Sequence, residues 1–300
     1  MISKIPLDSP YWAALDPGPS PTVRELLAEF IKSPDASPES DLFASLCERL
    51  CESNTLYPPF YLAFPYLAEA AAGKPPKEAA ELWAWIGAWF AEGNEEYQDN
   101  IPGEATAVYK QARADAEKAF FHFFLQYDFS DAPEGLHYLL AAPFGLARPD
   151  FAKAAALFDS EIELEAACPN GHIALYLISQ KGVCNSKKEK APGLQTPYAH
   201  ILNDIASLPL CPDNPWLKLL EKCAAAKNDE EIRTAYAVCE KGINEDTPLS
   251  AAVFLYAYLL KRLSSDKGDI LFGDLCLNMA GDACCPQCGA VFRLLDGWGR

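Results

Sequence analysis

One segment of the chain is too apolar to lie on a protein surface. It runs from Ser53 to Ala72 and contains three prolines, the adjacent pair Pro58 and Pro59 and a third, Pro65. Proline suits the first turn of a helix because its missing N–H would have no partner there. A helix that is apolar on nearly all sides must be buried between neighbours. The segment therefore predicts a central helix, bent at Pro65, with other helices packed on both flanks.

Further helices are predicted on both sides of this segment at a regular spacing. The pairs Ser20-Pro21 and Ser37-Pro38 each precede apolar residues that recur on one helical face. The pair Pro75-Pro76 opens a fourth such stretch, so four helices begin about 17 to 20 residues apart. This spacing is typical of antiparallel helix pairs stacked as a solenoid. We therefore predict a mainly α fold of stacked antiparallel helix pairs.

Two short segments interrupt the helical pattern and predict β structure. Polar and apolar residues alternate near 161–178 around the turn sequence Cys-Pro-Asn-Gly, which is typical of a β hairpin. A second short hairpin or strand element is predicted near 284–295. The sequences that begin at Cys168 and at Cys285 align without a gap, so the two elements are related. If they pair, these two cysteines must approach each other in the fold.

The same patterns divide the chain into parts. We predict an N-terminal helical half at 1–160, a β hairpin and linker at 161–195, and a C-terminal helical half at 196–300 that ends in the second β element. The linker follows from the charged and then Pro- and Gly-containing stretch after Asn185. Half of the 300 residues are apolar, which is ample for a packed core, and we expect one continuous unit.

The charge of the chain argues against two classes of partner. The sequence has 42 acidic and 25 basic residues, a formal net charge of −17, so we expect it to bind neither nucleic acid nor an anionic membrane surface. Its longest apolar run is too short to cross a bilayer, and its first residues lack the apolar core of a signal peptide. We therefore expect a cytoplasmic protein, whose eleven cysteines form no disulfide framework.

A set of aromatic and proline positions between residues 10 and 75 forms a recognisable pattern. It consists of Trp12, the proline-led segment Pro21–Ile31, and the run Thr55, Tyr57, Ala63, Pro65, Tyr66 and Leu67. In these positions the chain resembles a family of uncharacterised bacterial helical-repeat proteins that are related in architecture to HEAT repeats. The resemblance implies a HEAT-like α-solenoid and a cytoplasmic protein-binding scaffold, in some members an immunity protein that neutralises a toxin. The His-Gln-Gly turn of the family is replaced here by Glu52, Ser53 and Asn54.

One cysteine spacing is typical of a pair of metal ligands. Cys285 and Cys288 form a CxxC turn, and two such thiolates share a tetrahedral Zn²⁺ when two further ligands are present. Cys168 and His172 occupy the equivalent place in the first β element, so these four residues form a candidate zinc site. The alternative is a metal-free pair of hairpins with inert thiols. The sequence favours this alternative, because the first element lacks a second cysteine and its histidine lies one residue late.

A row of carboxylates gives the candidate partner-binding site. Glu161, Glu163 and Glu165 lie on one face of the predicted strand, where they form either a solvated face or a contact for a basic partner. The chain contains no HExxH, phosphate-binding glycine loop or nucleophile elbow. We therefore expect a non-enzymatic protein without a cofactor that binds a protein partner, as an immunity or adaptor protein against a basic toxin. The alternatives are a zinc-dependent enzyme or regulator that uses Cys285 and Cys288, and a structural module that self-associates.

Overall fold

The fold is that of a computed structural model. It describes residues 1–33, 37–52, 55–93, 98–129, 135–148, 150–151, 162–179, 182–185, 198–212, 214–223 and 230–298. These residues contain thirteen α-helices and seven short β-strands, so the protein is mainly helical, as the sequence predicts. The chain divides into two compact units, Met1–Ala156 and Leu157–Arg300. The second unit includes the segment 161–195, which the sequence predicts as a separate hairpin and linker.

The regular secondary structure described for the first unit is almost entirely helical. Its helices are α1 (Pro10–Leu15), α2 (Val23–Lys32), α3 (Asp41–Leu50), α4 (Phe60–Gly73), α5 (Pro76–Glu92), α6 (Gly103–Gln126) and α7 (Leu136–Ala147). A two-residue antiparallel ladder joins β1 (Cys51–Glu52) to β2 (Thr55–Leu56), just before α4. The sequence also predicts a short helix at 149–159, which lies almost wholly outside the described residues.

Helices α2 and α3 begin a few residues after the Ser-Pro pairs of the sequence. The hydroxyl of Thr22 accepts a hydrogen bond from the N–H of Glu25, whose carboxylate accepts one from the N–H of Thr22. At α3, the Ser40 hydroxyl accepts a hydrogen bond from the N–H of Phe43. These side chains satisfy N–H groups of the first turn that have no partner within the helix. The prolines therefore lie in the preceding loops rather than at the first helical position.

The central helix α4 is buried, as its composition predicts. Phe60, Phe64 and Leu67 are at most 1% exposed. The ring of Phe64 packs edge-on against Phe90 of α5 and Tyr109 of α6, with centroids 5.5 and 5.7 Å apart. The helix also contacts α2, so neighbours cover it on more than one side. It continues through the proline at position 65, and a bend there stays a prediction.

Helices α5 and α7 approach each other closely because each of them carries a glycine at the contact. A Cβ atom at Gly87 would lie 1.7 Å from the backbone oxygen of Tyr138. Gly145 of α7 also lies at this contact, since a Cβ there would lie 2.3 Å from Cβ of Phe90 on α5. Only glycine leaves room for two backbones at this distance. The contact holds α7 against the hydrophobic core of the first unit.

The second unit combines helices with two small sheets. Its strands are β3 (Ile162–Ala167), β4 (Ile173–Ser179), β5 (Gly182–Asn185), β6 (Asp282–Cys284) and β7 (Val291–Arg293). Its helices are α8 (Ala199–Ile205), α9 (Pro215–Cys223), α10 (Glu230–Lys241), α11 (Leu249–Leu263), α12 (Lys267–Met279) and α13 (Leu294–Gly297). Every residue from Ser250 to Leu260 of α11 is buried. Helix α11 is therefore the central helix of this unit.

Both predicted β elements are present as antiparallel hairpins. Strands β3, β4 and β5 form one sheet in that order, in which Leu164 pairs with Tyr176 and Ile178 pairs with Val183. These four side chains are buried on one face of the sheet. Strands β6 and β7 form the second hairpin. The sequence does not predict β5, and most of the predicted linker that follows it lies outside the described residues.

None of the described helices is both long enough and apolar enough to cross a membrane. This finding agrees with the short apolar runs in the sequence.

Candidate metal centre

The four candidate metal ligands come from the turns of the two hairpins in the second unit. Cys168 follows β3 and His172 precedes β4, while Cys285 follows β6 and Cys288 lies in the turn before β7. The structure brings all four together: one ligand atom from each residue lies within 4.8 Å of every other. The expected approach of the two hairpins is therefore present. Cys168 and Cys285 are buried, His172 is half-buried and Cys288 is exposed.

Three of the distances between the four ligand atoms are close to those around a tetrahedral zinc ion. Sγ of Cys168 lies 3.9 Å from Sγ of Cys288 and 3.5 Å from Nδ1 of His172. Sγ of Cys285 lies 3.9 Å from the same Nδ1. Zn–S bonds of about 2.3 Å and Zn–N bonds of about 2.0 Å at tetrahedral angles place sulfur atoms about 3.8 Å apart and sulfur and nitrogen about 3.5 Å apart. The donor set is thus spaced for one ion.

Glycine shapes both turns, and its position corrects the alignment of the two elements. The N–H of Gly171 donates to the carbonyl of Cys168, and the N–H of Gly289 donates to the carbonyl of Cys285, both over 2.9 Å. The two glycines have φ of 80° and 71°, in the left-handed region that favours glycine. They are structurally equivalent, although the gapless alignment places Gly171 opposite Cys288. The second turn contains one additional residue, and that residue is Cys288.

The helices of the second unit hold both hairpins. The side-chain amide of Asn278 on α12 donates a 2.8 Å hydrogen bond to the carbonyl of Ser179 at the end of β4. Arg293 of β7 reaches Oγ of Ser250 on α11 over 3.4 Å and forms an ion pair with Asp204. Strands β5 and β6 are also in contact. The turns that carry the ligands are therefore fixed relative to one another by contacts outside the site.

The surroundings of the thiols favour the thiolate form at two of them. Hydrogen bonds from the backbone N–H of Ala290 and the side-chain amide of Asn170 lower the pKa of Cys288 to about 6. Burial acts to raise the pKa of Cys168, but hydrogen bonds from the backbone of His172 and Asn170 outweigh it, and the pKa is lowered. The thiolate is the form of cysteine that binds a metal. Burial raises the pKa of Cys285, while hydrogen bonds to Cys288 and Cys168 raise the pKa of His172.

A cavity of about 280 Å³ lies beside the hairpins and contains charged side chains that are paired with one another. Nε2 of His200 lies 3.2 Å from Oδ2 of Asp282. Arg293 pairs with Asp204 and lies 3.8 Å from Asp296. Burial raises the pKa of Asp282, against the attraction of His200. The simplest role of this network is to hold the second hairpin on its neighbours.

The glutamates of the candidate partner-binding site do not belong to the metal centre. Glu163 and Glu165 are exposed on the outer face of β3, opposite the buried side chains of Leu164 and Ala166. Glu161 lies outside the described residues. Sequence reasoning missed Asn170, whose amide donates to Sγ of Cys288 over 3.3 Å. Its position inside the Cys-Pro-Asn-Gly turn was the only available signal, and it indicates a turn rather than a contact to the other hairpin.

No family model, no curated protein and no solved structure matches this chain.

Proposed function

We propose that this protein binds one zinc ion through Cys168, His172, Cys285 and Cys288, and that the ion has a structural role. The single observation that carries the proposal is the clustering of four ligand atoms within 4.8 Å, drawn from two separate hairpins. Three thiolates and one imidazole are a ligand set typical of structural zinc. The proposal reverses the expectation from sequence, which favoured metal-free hairpins. The reversal follows from geometry that an alignment cannot provide.

The closed ligand set also supports a structural role over a catalytic one. A catalytic zinc keeps one coordination position for water or substrate, whereas a structural zinc has four protein ligands. Here four protein ligands are at hand, so the zinc-dependent enzyme considered from the sequence is the less favoured function. Two ligands come from each turn, so the ion would join the first hairpin to the second.

Elemental analysis of the protein purified without chelator tests this proposal. We expect one equivalent of zinc per chain. Cys288→Ser should lose most of it, because serine is a poor zinc ligand. Cys284→Ser is the matched control: Cys284 is the neighbour of Cys285 in sequence but lies outside the ligand cluster, so the variant should keep its zinc. A wild-type protein with less than about a tenth of an equivalent would contradict the proposal.

The second proposed function is binding of a basic protein partner. It is supported by the exposed pair Glu163 and Glu165 and by the net charge of −17. A negatively charged surface attracts a positively charged partner, raises its association rate and makes that rate sensitive to salt. An immunity or adaptor protein of the cytoplasm is the role that the resemblance over residues 10–75 suggests. A HEAT-like stack of helix pairs is part of this proposal.

Affinity purification from the native host at low and at physiological salt tests the second function. We expect a captured protein of basic isoelectric point, whose association slows markedly as salt rises. A specific partner that proves acidic or purely apolar would contradict the electrostatic argument. Zinc binding would be unaffected by that result, because the two proposals depend on different residues.

A further inference from the structure

The outer face of the three-stranded sheet exposes an unusual row of apolar side chains. Ile173, Leu175 and Leu177 alternate along β4, and they are 53%, 44% and 39% exposed. Alternate residues of a strand point to the same face, and the intervening Tyr176 and Ile178 are buried on the other one. An antiparallel sheet with one face in water usually presents polar side chains there. An apolar row in the central strand is instead typical of a contact surface.

The register of the sheet places carboxylates directly beside this row. Glu163 pairs with Leu177 and Glu165 pairs with Leu175 across β3 and β4. Residues paired in this way have Cβ atoms about 5 Å apart on the same face. Both glutamates are exposed. The face therefore combines an apolar row with an acidic edge, and we call these five residues (Glu163, Glu165, Ile173, Leu175 and Leu177) the sheet face.

We propose that the sheet face binds an amphipathic basic segment of a partner protein, with apolar side chains over Leu175 and Leu177 and Lys or Arg side chains against Glu163 and Glu165. This inference rests on the proposed partner-binding function and gives it a site. Charge complementarity selects this occupant. Nucleic acid and a second copy of the chain are both negatively charged, and the chain carries a net charge of −17, so both are repelled. A neutral apolar segment would leave the two glutamates without a counter-charge.

Two double variants separate the apolar and the electrostatic contributions. Leu175→Thr with Leu177→Thr removes the apolar row and keeps a residue that favours strands. Its control is Leu210→Thr, because Leu210 is 66% exposed and lies outside the sheet. Glu163→Lys with Glu165→Lys reverses the acidic edge. Its control is Glu240→Lys with Glu245→Lys, an exposed pair of equal charge elsewhere in the same unit.

The probe is a labelled helical peptide with leucine on one face and lysine on the other, and binding is measured by fluorescence anisotropy at low and physiological salt. We expect Leu175→Thr/Leu177→Thr to weaken binding by at least about tenfold, or 1.4 kcal/mol. Glu163→Lys/Glu165→Lys should slow association and reduce its salt dependence. Both control variants should bind nearly as the unmodified protein does. A counterpart peptide with glutamate in place of lysine should not bind.

The outcomes distinguish failure of the site from failure of the function. Salt-dependent binding that is equal in the sheet-face variants and in their controls would overturn the site and leave a basic partner possible elsewhere. No binding of the lysine peptide to the unmodified protein would count against both. Sedimentation that shows a dimer abolished by Leu175→Thr/Leu177→Thr would assign the face to a second copy and overturn the proposed occupant. The circular dichroism of each variant establishes that it is folded.

Discussion

The Sγ atoms of Cys168 and Cys288 lie 3.9 Å apart, although 120 residues separate them in the chain. A metal ion shared by these atoms would close a long loop of the unfolded chain. Closure of a long loop carries an entropic cost, and a bond that exists only in the folded state lowers the free energy of that state by its own binding free energy. The metal centre should therefore contribute to the stability of the second unit.

Removal of the metal should lower the melting temperature. We expect excess EDTA to reduce the melting temperature of the unmodified protein by at least about 5 °C, because the free energy of zinc binding is lost from the folded state. The melting temperature of Cys288→Ser should already be low and should not respond to EDTA. Cys284→Ser should respond as the unmodified protein does. Differential scanning calorimetry provides the measurement, and identical melting curves with and without EDTA would contradict a structural ion.

Truncation of the central aromatic residue should strongly destabilise the first unit. Phe64 is fully buried between Phe90 and Tyr109, and Phe64→Ala should reduce the free energy of unfolding by about 3–5 kcal/mol, because it leaves a cavity in a packed core. Ile31→Ala is the control, since Ile31 is 46% exposed and should cost less than about 1 kcal/mol. Urea denaturation measures both changes. Equal stability of the two variants would place Phe64 outside the core.

A single methyl group at the contact of α5 and α7 should be poorly tolerated. A Cβ at position 87 would lie 1.7 Å from the carbonyl oxygen of Tyr138, so Gly87→Ala should cost at least about 1–3 kcal/mol through displacement of α7. Gly103→Ala provides the control, because a Cβ there has no neighbour within 4 Å. That variant should be neutral or slightly stabilising, as alanine is the better helix former. A neutral Gly87→Ala would contradict the close approach of the two helices.

One half-buried carboxyl should make stability depend on pH. Burial raises the pKa of Glu117 from 4.5 to about 7, although Arg113 and Lys118 act to lower it. Between pH 4.5 and about pH 7, Glu117 keeps its proton in the folded protein and has released it in the unfolded chain. The free energy of unfolding therefore falls as the pH rises through this window. The loss amounts to at most about 3 kcal/mol.

Glu117→Gln removes this ionisation and should abolish that part of the pH dependence. The stability of the variant relative to the unmodified protein should therefore rise between pH 5 and pH 8, measured by urea denaturation at each pH. Glu48→Gln, at an exposed position of α3, should run parallel to the unmodified protein. A pH profile of Glu117→Gln that also runs parallel would show that this carboxyl does not hold its proton in the folded state.

The buried helices were the part of the fold most open to prediction. The aromatic and proline run around Phe64 predicts a buried helix because no polar face exists to be solvated, and the alternation around Glu163 predicts a strand because side chains alternate between its faces. The first residues of the helices were harder to predict. The prolines at 21 and 38 resemble first helical residues, but Thr22 and Ser40 provide the hydrogen bonds that begin the helices.

The candidate site was only partly open to prediction. The spacing of Cys285 and Cys288 indicates a ligand pair. The sequence does not reveal that the turn of a distant hairpin lies within 4 Å of this pair. The gapless alignment misplaced His172, because the additional residue in the second turn is visible only from the hydrogen bonds at Gly171 and Gly289. The sequence also did not predict that Leu175 is exposed. Residues alternate along a strand in the same way whether the face that carries Leu175 is exposed or covered.

X-ray absorption at the zinc edge, on protein purified without chelator, tests the central claim most directly. The structure predicts three sulfur neighbours at about 2.3 Å and one nitrogen at about 2.0 Å, from Cys168, Cys285, Cys288 and His172. Cys288→Ser should remove one sulfur from this shell or abolish the signal. A shell of oxygen and nitrogen alone, or protein that contains no zinc, would contradict the account.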